Sequence, residues 1–190
     1  MLPVQALDYP HDFYTSPKEL YRRIKVDPGQ TSFHDGREFR SFREFSIPTT
    51  QSLYLQVIVG VDTILYDVSC VVDAGGVRLT TYAGGTPVGT YNVPQIIVPK
   101  NTMSIRSQPI YPTQNSILSG GTGVADGTVI DIVRIVAANA TAQQTSVGSK
   151  AFDQRGVGAG TYYWRLENIS NATATGTFSG FWAEILNLGV

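Results

Sequence analysis

The chain is 190 residues long and carries 14 Lys and Arg against 15 Asp and Glu, a formal net charge of -1, with one cysteine. That near-neutral balance excludes the global basic field that drives non-specific nucleic-acid binding through counterion release, and a lone thiol excludes an internal disulfide framework. No run approaches the roughly 18 apolar residues of a membrane-spanning helix, and Met1 to Pro10 lacks the basic start and apolar block of a signal peptide, so neither a membrane nor a nucleic acid is an expected partner.

Charge is unevenly spread. Residues 1–46 hold Lys18, Arg22, Arg23, Lys25, Arg37, Arg40 and Arg43 with a matching set of carboxylates, close to half of all formal charges. Pro3, Pro10 and Pro17, with Tyr9, Phe13 and Tyr14 in no sustained period, read as extended peptide. Ser16-Pro17-Lys18-Glu19 has the form of an N-cap followed by proline at the first helical position. It predicts one or two helical turns over Leu20 to Lys25, ended by Asp27-Pro28-Gly29. Further on, Phe33, Phe39, Phe42 and Phe45 interleave with Arg37, Arg40 and Arg43. The last three rings are spaced by three, which predicts a short helix with one aromatic face, or a strand and turn with Arg planes on the rings.

Two roles stay open for this leader, a tether packed on its own domain or a docking arm for a neighbouring subunit. In the second, Tyr21, Arg22, Arg23, Phe33, Arg37, Phe39, Arg40, Phe42, Arg43 and Phe45 are the candidate contacts, because aromatics and Arg dominate interface hot spots. The boundary is placed at residue 46, giving an arm over 1–46 and a β-domain over 47–190.

After residue 46 the period is two. Leu53, Leu55, Val57 and Val59 alternate along one strand, Ile64 to Asp73 forms a second, and Asp73-Ala74-Gly75-Gly76 turns into Val77, Leu79 and Thr81. Thr90 to Val98, Met103 to Arg106, Val129 to Ala137, Thr161 to Asn168 and Thr175 to Leu186 are further strands, with glycine-rich loops between them. This spacing predicts an all-β fold, an antiparallel β-sandwich of jelly-roll type with an extended N-terminal arm. In Thr161 to Asn168, alternation puts Tyr162, Trp164 and Leu166 on one face and Tyr163, Arg165 and Glu167 on the other. A return strand carrying Phe178, Gly180 and Trp182 would bring Trp182 to Trp164 across the pair.

Catalytic and metal chemistry has little to stand on. The two histidines, His11 and His34, both lie in the leader, outside any metal-ligand spacing, and no Gly-x-Ser-x-Gly elbow occurs. The carboxylates Asp62, Asp67, Asp73, Asp126, Asp131, Asp153 and Glu167 fall mostly at turns or on strand faces. The expectation is therefore no enzyme, no cofactor and no metal. Cys70 reads as a small core residue. Tyr162, Tyr163, Trp164 and Trp182 are candidates for a sugar-stacking platform or a subunit contact, set against the plainer expectation that they fill the core.

Some phrases resemble a known group. Val26-Asp27-Pro28-Gly29-Gln30-Thr31, Gly36 to Phe45, Val136 to Gln144 and Gly160 to Asn168 are similar to a widespread group of small tailed-bacteriophage proteins, described as hypothetical or virion structural proteins. The resemblance implies a non-enzymatic virion component assembled in the host cytoplasm. A capsid decoration or cement protein, fastened by its arm to the major capsid protein and self-associating as a trimer or dimer, is the first expectation. A tail, neck or fibre-attachment adaptor bound to tail proteins is the alternative, and a carbohydrate-binding sandwich module is the second.

Overall fold

The computed structural model describes residues 36–100, 112–137 and 155–185. The helical turn predicted near residue 20 and the strand predicted at Met103 lie outside them. The described residues form three antiparallel sheets. One sheet contains β1 (Glu38–Ile47), β3 (Thr63–Ala74), β7 (Ile97–Pro99), β11 (Arg155–Val157) and β13 (Ala174–Glu184), in the order β11-β3-β13-β1-β7. The facing sheet holds β2 (Ser52–Val59), β4 (Gly76–Ala83), β6 (Val93–Pro94), β8 (Ser116–Ser119), β10 (Thr128–Val136) and β12 (Gly160–Asn168), in the order β10-β4-β12-β2-β8-β6. A small ribbon pairs β5 (Thr86–Val88) with β9 (Gly123–Ala125).

The result is an antiparallel β-sandwich. Its long strands pair in a nested way, β1 with β13, β2 with β12, β3 with β13 and β11, β4 with β12 and β10. The connections from β1 to β2, β2 to β3, β3 to β4 and β12 to β13 therefore each cross from one sheet to the other. The turn at Gly75, where φ is +78°, is a corner between sheets rather than the hairpin the sequence suggested. The same holds for the loop from β12 to β13. Buried Asn168 holds that loop, its Nδ2 donating to the Ile47 and Ala172 carbonyls at 2.8 Å each.

The core fills where bulky side chains of the two sheets interdigitate. From the first sheet come Phe39, Phe45, Ile47, Cys70, Val72, Phe178 and Trp182, and from the second Leu55, Val57, Leu79, Trp164 and Leu166. Trp164 and Phe178 meet edge to face with ring centroids 5.1 Å apart, an arrangement the aromatic quadrupole favours. Gly176 lies directly opposite Phe45 in the β1–β13 register. A Cβ there would sit 2.0 Å from the Val71 carbonyl oxygen and 2.8 Å from the Phe45 ring, so only glycine lets strand and ring approach this closely.

Two expectations need correction. The boundary at residue 46 falls inside β1, a ten-residue strand inserted between β13 and β7. Of the helix and the strand that its aromatic spacing of three allows, the strand forms, so period two decides which side chains turn inward. The strand expected over Thr90 to Val98 is broken into β6 and β7, each ending in a proline that cannot donate to a ladder.

Candidate docking surfaces and an inter-sheet cavity

Tyr21, Arg22, Arg23 and Phe33 lie outside the described residues. The other expected arm residues belong to the sandwich. Phe39 and Phe45 are core residues, 2% and 6% exposed, and do not dock a neighbour. The Arg37 backbone bonds Glu184, and its guanidinium donates to the Glu184 carbonyl at 3.3 Å. Arg43 shares the face of Phe45 and donates to Gln95 Oε1 at 3.1 Å. Gln95 in turn donates to Ser119 Oγ at 2.9 Å, so the chain of side chains ties β1 to the edge of the opposite sheet. Only Arg40 and Phe42 face outward, the guanidinium 5.9 Å from the ring centroid.

The aromatic candidates for a sugar platform or a subunit contact do not form an exterior surface. Trp164, Trp182 and Tyr163 are 6%, 3% and 0% exposed, and Tyr162 is half-buried with its hydroxyl donating to the Gly158 carbonyl at 3.1 Å. The two tryptophans do approach one another, though from opposite sheets and not as strand neighbours. Both lie within 4.0 Å of the position a Cβ on Gly180 would take. Tyr163 points to the outer face, where Tyr91 covers it edge-on at 5.7 Å and Gln56 donates to its hydroxyl. Burial first, then the neighbouring Tyr163 and Tyr54, push the Tyr91 phenol up to about 12. Arg165 over Tyr54 and the Arg78–Glu167 ion pair complete that face.

Two features were not anticipated. The first is an asymmetry among sheet edges. Three edges end in β6, β7 or β11, strands of two or three residues, whereas β10 runs for nine and pairs only β4 among the described residues. Val129, Ile130, Ile132 and Val136 along it are all 47% exposed or more. A signal was present, since Thr128 to Val136 carries apolar residues at both parities, unlike a strand with one solvated face.

The second is a cavity of about 310 Å³ between the sheets, on the side where β10 and β11 end them. Val57, Val59, Leu65, Leu79, Val133 and Val157 line it, with both tryptophans at its inner wall. Arg155 Nη1 meets Asp131 Oδ2 at 3.0 Å, joining β11 of one sheet to β10 of the other. Bonded to two of the lining residues, Asn115 and Trp182, buried Glu184 accepts from Thr113 Oγ1, the Gln114 and Asn115 amides and Trp182 Nε1. Its oxygens are engaged in pinning the segment ahead of β8 to β13. Among the described residues no group of three or more His, Cys, Asp or Glu is placed to hold a metal. Burial pushes the Cys70 thiol up to about 12, which keeps it protonated and poorly nucleophilic.

Comparison with family models, with curated proteins and with solved structures finds no match in any of the three.

Proposed function

We propose that the chain is a non-enzymatic structural protein of a tailed-bacteriophage virion, a decoration or cement protein of the head whose copies meet through strand edges. The observation that carries this reading is the β10 edge. Soluble β-proteins blunt their edges with short strands, prolines or charges, because an open ladder invites pairing with another chain. Three edges of this sandwich are blunted in that way and the fourth is long and apolar. A neighbouring subunit laid along β10 would continue the ladder and bury Ile132 and Val136.

The nested pairing supports the same reading by analogy. We read it as the order of a jelly roll, two Greek keys folded together, an architecture of viral capsid domains and also of lectins. Such an analogy concerns the fold and leaves the function to the surface. The bacteriophage-like phrases at Gly36 to Phe45 and Gly160 to Asn168 supply the virion class. Because β1 is spent inside the sheet, a fastening arm is confined to the residues ahead of Gly36, and it would add to the edge contact through effective concentration.

Copies of the chain per purified particle, counted by quantitative mass spectrometry against the major capsid protein, test the proposal. A count in the hundreds is the expected result. A few to a few dozen copies would move the protein to the neck, tail or fibres, and absence from particles would end the virion reading.

A further inference from the structure

The edge contact proposed above does not draw on the inter-sheet cavity. Protein interiors hold few voids larger than a water molecule. A dry apolar cavity of about 150 Å³ takes up benzene, and this one reaches about 310 Å³. That is the lower end of the range of small-molecule sites. Its wall is mainly hydrocarbon from both sheets, with Trp164 and Trp182 on the inner side and Val133 and Val157 toward the rim.

Most of the polar groups that border it are already engaged. Asn115 Nδ2 donates to Thr63 Oγ1 at 2.9 Å, Thr63 Oγ1 donates to the Val61 carbonyl at 2.8 Å, and Asn115 Oδ1 accepts from the Gly60 amide at 3.0 Å. Arg155 and Asp131 satisfy each other at the rim, and Asp67 has an interaction of its own. A charged ligand would have to break one of these pairs or sit unpaired against hydrocarbon, both costly. An uncharged one meets neither penalty.

We propose that this cavity is a binding site for a small uncharged apolar molecule, aromatic or short alkyl, admitted between β10 and β11. The chain has two tryptophans and both line the cavity, so tryptophan emission reports on its contents. The full-length protein is titrated with uncharged N-phenylnaphthylamine and separately with its sulfonated analogue, with excitation of tryptophan and detection of energy transfer to the probe. Saturable binding of the uncharged probe is expected, about tenfold or more tighter than the sulfonate.

Val133→Phe and Val157→Phe each place a ring in the cavity from an edge strand and should weaken binding by about tenfold or more. A cooperative thermal melt identifies the variants that fold, and one of them suffices. Absence of saturable binding to the folded parent overturns the proposal, since the cavity is then filled by the protein's own residues or by another copy. Equal affinity for the two probes, or unchanged binding in a folded variant, also overturns it, because the probe then sits on an exterior apolar patch.

Discussion

The two halves of the sandwich core are built from the same alternating strands and end differently. Around β1, β13, β2 and β12, four aromatic rings from both sheets interlock, with Phe39, Phe178, Trp164 and Trp182 each touching another ring of the set. Toward β3 and β11 on one side and β4 and β10 on the other, the facing side chains are mainly Val, Leu and Thr. The sheets there leave a cavity of about 310 Å³. Sheets stacked face to face lie about 10 Å apart. Side-chain volume then decides whether the space closes. The open half is also the half with the exposed β10 edge.

The strongest way to break this contrast is to empty the closed half. Phe178→Ala removes the ring that Trp164 meets edge-on and should cost about 3–5 kcal/mol in denaturant unfolding. A loss under about 1 kcal/mol would mean that the closed half is not close-packed.

A matched pair on one strand sharpens the comparison. On β3, Val72 is 3% exposed and lies away from the cavity, whereas Val68 borders it. Val72→Leu overpacks and should lower stability by about 1–3 kcal/mol, whereas Val68→Leu fills space and should raise it by about 0.5–2 kcal/mol. The same sign for both in thermal or urea melts would show that the two halves pack alike.

The smallest expected effect on stability is at the edge. Ile132 is 57% exposed, so Ile132→Lys should leave stability within about 0.5 kcal/mol. It should nevertheless reduce self-association in sedimentation and incorporation into particles, as a lysine on an open edge does. Unchanged incorporation would remove β10 from the subunit contact.

Much of the fold was legible from local pattern. Leu53 to Val59, Ile64 to Asp73 and Thr161 to Asn168 announce strands because β-branched and aromatic residues at period two suit a half-buried pleat. β2, β3 and β12 occupy those places. The buried position of Cys70 was also readable. The candidate site was far less legible. Phe39 and Phe45 looked like docking residues because charge and aromatic content resemble an interface, and nothing local tells a subunit contact from a contact with the chain's own distant strand. The partner of Phe39 is Trp182, paired in register from the other end of the chain.

The sequence by itself determined that this is an all-β chain of short antiparallel strands, where many of those strands run, and that its thiol is a core residue. These follow from side-chain shape, alternation and turn residues, all of which act within a few positions. Only the tertiary structure decided that β1 belongs inside a sheet, that the two tryptophans approach from opposite sheets, that β10 is the one long edge among the described residues, and that the sheets part beside it. Each of those depends on which strands lie next to one another. Hydrogen-bonded backbones carry almost no side-chain code for that choice, so it is settled by how the whole set of side chains packs.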